Sequence, residues 1–114
     1  MQFLLLIYDQ EERWNGLTQP EQNAEFEEYT VFGKEFAKAI LASNALQPTM
    51  TAKTVRVRNG KSQVTDGPFA ETKEQLGGYY LVEAKDADEA AAIAAKVPWA
   101  RHGSIEVRPI LAFS

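Results

Sequence analysis

The chain contains no cysteine. That excludes a disulfide, a thiolate nucleophile and a cysteine-ligated metal, and it fits a reducing, cytoplasmic setting. A single histidine, His102, is present, too few for a site of several imidazoles. Cations are in deficit: twelve Lys and Arg stand against sixteen Asp and Glu, for a net charge of −4 and a pI near 5.0. Binding to nucleic acid draws on a cationic surplus, so this balance argues against it. Long apolar runs are missing too. Phe3–Ile7 is too short for a signal-peptide core or a membrane span, and no basic region precedes it. No internal repeat and no low-complexity segment interrupts the chain.

What is present suits one soluble domain. The 114 residues are 45% hydrophobic and 25% charged, enough for a modest core. Phe3–Tyr8 is apolar on both faces and reads as a central strand. Asp9–Leu17 is polar, with Asn15-Gly16 as a turn signal and Trp14 as a large ring in a loop. That ring either pins the loop to the core or belongs to a ligand site. Thr18 to Glu21 is a capping box that opens a helix running to about Ser43, with Asn44 as its stop. Phe26, Tyr29, Phe32, Gly33, Phe36 and Ile40 share one side of it, and Glu27, Glu28, Lys34, Glu35 and Lys38 the other. Leu46–Thr51 reads as a short edge strand carrying Pro48.

Thr54–Thr65 is the clearest local signal. Asn59-Gly60 between alternating runs predicts a two-residue type I′ hairpin. Its register sets Arg58 opposite Lys61, Val55 opposite Val64 and Arg56 opposite Gln63, and the acidic whole makes it a solvated ribbon. Asp66-Gly67-Pro68 then stops any regular element. Gly77-Gly78 permits a bulge or a close approach before the strand Tyr79–Ala84. Asp86 caps a slim Ala-rich helix to Val97, which Pro98 ends. Trp99–Gly103 is a loop, and Ser104–Leu111 a last strand held to an edge by Pro109. The order β-α-β-hairpin-β-α-β predicts an α+β sandwich of the ferredoxin-like kind. Helices cover one sheet face. Apolar side chains such as Phe3, Leu5 and Ile7 are expected on the other, which predicts a homodimer packed sheet to sheet.

The chemistry is thinner. No serine sits in a nucleophile elbow and no glycine-rich phosphate loop is present. Asp66, Glu71 and Glu74 offer oxygen ligands, but their spacing matches no known Mg²⁺ or Ca²⁺ loop, so no metal and no cofactor is expected. Asp66, Glu71 and Lys73 can shift one another's protonation and supply a general base and an electrophile, which makes them the catalytic candidates. The structural alternative is that Asp66 caps its turn while Glu71 and Lys73 bond loop backbone. Trp14, Glu74, Tyr79 and His102 are the ligand-binding candidates. His102, beside Arg101, is either a surface residue or a base.

The string Asp66-Gly67-Pro68-Phe69-Ala70-Glu71-Thr72-Lys73-Glu74-Gln75-Leu76-Gly77-Gly78-Tyr79-Tyr80 resembles the signature of the DGPF branch of the YCII-related domain family. The resemblance continues through the Ala-rich helix and Pro98 to Glu106-Val107-Arg108-Pro109-Ile110. It implies the fold of the dimeric α+β barrels, a homodimer, and a cleft between sheet and helices. Some relatives are held to be hydrolase- or dehydrochlorinase-like enzymes using a histidine and an aspartate. The histidine would fall near Gln22 and the aspartate near Lys96-Val97-Pro98, so neither partner is present and that mechanism does not transfer. The branch's association with alternative sigma factors implies a regulatory role. Three readings follow: a small acid–base enzyme, a ligand-binding sensor, and a partner of transcription machinery acting through Arg56, Arg58 and Lys61.

Overall fold

The alternation of β1 (Gln2–Asp9) organises the fold. In this computed structural model, which describes residues 1–112, Phe3, Leu5, Ile7 and Asp9 are buried on one face of that strand. Leu4, Leu6 and Tyr8 are half-buried on the other. β1 is central in a four-stranded antiparallel sheet of order β2-β5-β1-β6, with β2 at Ile40–Ala45, β5 at Gln75–Glu83 and β6 at Ser104–Pro109. This is the expected ferredoxin-like α+β arrangement, and Pro109 does end an edge strand.

Helices α2 (Gln19–Glu35) and α3 (Ala87–Ala94) pack on the Phe3 face. The core is Phe3, Leu5, Ile7 and Val82 from the sheet against Phe32, Ala90, Ile93, Ala94 and Val97. α2 begins at the expected capping box: Glu21 N–H donates to Thr18 Oγ1 and Thr18 N–H to the Glu21 carboxylate. Asp86 caps α3 by accepting from Glu89 N–H at 2.9 Å.

Several expectations need correction. The open sheet face carries Leu4, Leu6 and Tyr8, not Phe3, Leu5 and Ile7, because the helices cover the latter set. The first long helix stops at Glu35 with Phe36 as its C-cap, and Ile40–Ala45, including Ser43 and Asn44, is strand β2. The helical period that reaches Ile40 is overridden by strand pairing. Ile40 lies opposite Val82, which gives β5 its second neighbour. The edge strand expected at Leu46–Thr51 is instead a loop and a 3-10 turn, Thr49–Thr51. Trp14 belongs to a short helix, α1 (Glu11–Asn15), rather than a loop. β5 starts four residues before Tyr79, with the glycine pair inside it. α3 ends at Ala94, three residues before Val97, and Pro98 opens a 3-10 turn to Arg101.

The hairpin appears as β3 (Lys53–Arg58) and β4 (Lys61–Asp66), in the expected register. Asn59 at φ 53° and Gly60 at φ 73° supply the left-handed pair that its two-residue turn demands. It forms a sheet of its own, hydrogen-bonded to no strand of the main sheet.

Candidate functional site

A cleft of about 570 Å³ opens between the middle of α2, the helix α1 and the β2-β5-β1 part of the sheet. Its walls are aromatic. Trp14 meets Phe26 edge-on at 5.1 Å and Trp99 at 5.7 Å. Tyr29 stacks on Tyr80 at 6.5 Å and meets Trp99 edge-on at 6.0 Å. The rings come from α1, α2, β5 and the Pro98–Arg101 turn, so folding alone gathers them. Gly77 helps Trp99 fit: a Cβ there would stand 3.0 Å from the indole ring, so a side chain at this position would push the ring off β5 by a few tenths of an ångström. Gly77 is also the residue skipped where the β1–β5 register shifts, between Ile7 paired with Gly78 and Tyr8 paired with Leu76.

Behind the rings lies a charge cluster. The Arg13 guanidinium donates to both oxygens of Glu25, at 2.9 and 3.0 Å, and its Nε donates to Asp9 at 2.8 Å. Trp99 Nε1 donates to the same Glu25 at 2.7 Å, and Arg13 lies over the Trp99 ring at 5.6 Å. Asp9 and Glu25 are 3% and 8% exposed. A bidentate guanidinium is the partner that makes two such carboxylates tolerable away from water. Arg13 holds the Glu25 carboxyl below the usual carboxylate range, and that hydrogen bond in turn holds the Arg13 proton more tightly. Burial pushes the Tyr29 and Tyr80 phenols up, so both stay protonated at neutral pH. Glu11, at the rim, accepts from Thr49 N–H at 2.7 Å and Thr49 Oγ1 at 3.0 Å, while its own N–H donates to Gln75. Gln22 donates to the Trp14 carbonyl and ties α1 to α2.

The sequence-derived candidates are scattered over this frame. Trp14 lines the cleft. Tyr79 is on the strand that floors it, but alternation with Tyr80 turns its ring to the open sheet face, where its oxygen accepts from Asn44 at 2.8 Å. Asp66 ends β4, exposed, and pairs with Lys53 at 2.6 Å. Glu71 and Lys73 are exposed in the loop between β4 and β5, and Glu74 accepts from Ser104 Oγ at 2.8 Å. His102 is exposed at the end of the Pro98 turn. The structure thus does not gather Asp66, Glu71 and Lys73 in the cleft. Among the described residues, no three Asp, Glu, His or Cys side chains converge as a metal site.

Asp9, Arg13, Glu25 and Trp99 were not among those candidates, although two signals mark them. Asp9 and Arg13 stand one helical turn apart in sequence. Glu25 is spaced four and seven residues before Tyr29 and Phe32, a carboxylate in the stripe that faces the core.

The family model of the YCII-related domain matches residues 1–114. An uncharacterized protein of Rhizobium meliloti (strain 1021) is 34% identical over 114 residues, covering 96% of this chain and 92% of that protein. The solved structure of 5-chloro-2-hydroxyhydroquinone dehydrochlorinase from Burkholderia phenoliruptrix AC1100, in complex with 2,5-dihydroxybenzoquinone, superposes with a TM-score of 0.58. That match covers 97% of this chain and 94% of the other at 12% identity, a likeness of fold. No helix among the described residues is long and apolar enough to cross a membrane.

Proposed function

Because the chain belongs to the YCII-related domain family, we propose that its aromatic cleft binds a small planar ring compound bearing hydrogen-bond-acceptor oxygens. The observation that carries this reading is the division of labour in the cleft. Flat rings supply the walls, while Asp9, Glu11 and Glu25 are already bonded to Arg13, to Thr49 and to Trp99 or backbone. Protonated phenols of Tyr29 and Tyr80 remain as donors, and a neutral phenol donates to carbonyl or enolate oxygen. The structural neighbour's quinone has that chemistry, so 2,5-dihydroxybenzoquinone is the natural probe. Titration calorimetry should show saturable binding that weakens about tenfold in Tyr80→Phe, the scale of one lost hydrogen bond. No binding of the probe, of catechols or of other hydroxyquinones at millimolar concentration would overturn the reading.

Turnover is a separate property. The cleft carboxylates are committed, and Asp66, Glu71 and Lys73, the sequence's acid–base candidates, stand exposed away from the cleft lining, so the reading is of binding without proton transfer. Glu71→Gln with Lys73→Met should then leave probe affinity unchanged. Binding without conversion in the wild type would make the protein a sensor, and conversion that this double variant abolishes would return those residues to the chemistry.

We further propose that the chain works as a homodimer packed through the open sheet face. Leu4, Leu6, Tyr8, Tyr79 and Leu81 are only half-buried there, an apolar patch that a second copy would cover. The basic hairpin's alternative role, docking to transcription machinery, has no support in the relatives found.

A further inference from the structure

We propose that the β3–β4 hairpin is an arm that clasps a second copy of this chain, its valine face continuing the apolar surface of the partner's open sheet. This rests on the sheet-to-sheet dimer proposed above and adds to it a device that the sheet alone does not require.

Three independent observations point to it. The first is apolar surface in the wrong place. Val55, Val57 and Val64 share one face of the ribbon and are 61%, 60% and 57% exposed, and Phe69 just beyond it is 79% exposed. A two-stranded ribbon is marginal in water on its own, so one with a bare β-branched face needs a surface to lie on. The second is shape. The radius of gyration is 16.1 Å, against about 13 Å expected for a compact chain of this length. The molecule measures 47 × 47 × 19 Å, a slab two layers thick from which the ribbon reaches out.

The third is charge. Residues 53–66 carry four cations and one carboxylate, a net +3. The other 100 residues carry eight cations and fifteen carboxylates, a net −7. An arm of one sign on a body of the other favours a second body of the same kind, and two symmetric arms make the attraction reciprocal. Arg56 and Arg58 on the outer face supply most of that charge, and Lys53 is already paired with Asp66 at the arm's base.

The experiment is sedimentation equilibrium on wild type, Val57→Lys and Leu6→Lys, with amide exchange of residues 53–66 as a second readout. The expected result is a wild-type dimer whose dissociation constant rises about tenfold or more in Val57→Lys, the loss of a central apolar anchor. It should also rise with salt, as charge steering requires. Exchange across the arm should slow as concentration rises. Because Val57 is exposed in the single chain, its replacement leaves the core intact. A dimer weakened by Leu6→Lys but indifferent to Val57→Lys, with arm exchange independent of concentration, overturns the clasp and keeps the sheet-to-sheet dimer. A wild type that stays monomeric at tens of micromolar overturns both.

Discussion

Arg13 joins residues that are far apart in the chain, and its removal should be costly. Asp9 and Glu25 would be left as buried carboxylates with no cation. Arg13→Met should therefore lose about 3–5 kcal/mol in a denaturant melt, the usual cost of orphaning a buried charge. Arg13→Lys should recover only part of that, because a point charge cannot reproduce the paired bonds to Glu25. The same geometry sets a pH dependence. Glu25 is more acidic in the folded chain than in the unfolded one, so the unfolded chain takes up its proton first as pH falls. The stability it contributes is present at neutral pH, begins to fade near the ordinary carboxylate value and is lost below the folded one. Melts between pH 7 and pH 3 should show that decline, and Glu25→Gln, which carries no titratable proton, should flatten it.

Among the elements, those governed by local rules were legible from sequence and those governed by partners were not. The capping box at Thr18, the cap at Asp86 and the Asn59-Gly60 turn depend on a few neighbouring residues, and each is found where its residues stand. β2 was not legible. The helical spacing of apolar residues runs on to Ile40, yet Ile40–Ala45 becomes a strand because β5 offers it an edge, a fact written far away in sequence. The assignment of faces on β1 failed for a related reason. A run that is apolar at every position does not say which alternate set the helices will cover. The site suffered most, since Asp9, Arg13, Glu25 and Trp99 come from four different segments. The conspicuous polar cluster at Asp66–Glu74 drew attention because it is dense in sequence, while the chain spreads it along an exposed loop.

For the whole molecule, the fold is a two-layer α+β sandwich with an insertion, and the two parts differ in kind. Residues 46–74 replace the short turn that would otherwise join β2 to β5, and they hold the arm and the segment whose sequence is most distinctive. The sandwich supplies the cleft and the arm supplies reach. The arm's base is fastened to the cleft's rim through Glu11 and Thr49, so the two are mechanically joined. Ligand in the cleft and a second copy on the arm would thus be felt by one shared set of contacts.

The chain contains two tryptophans, and both stand in the cleft wall, their rings 5.7 Å apart and inclined at 52°. Two indoles so near and so far from parallel exchange excitation, and their optical transitions mix. Both indoles belong to the cleft, so the tryptophan bands of the near-ultraviolet circular dichroism report on the site. A molecule entering between the walls changes that signal without any label, and a partial opening of the cleft erases it while the helices keep theirs.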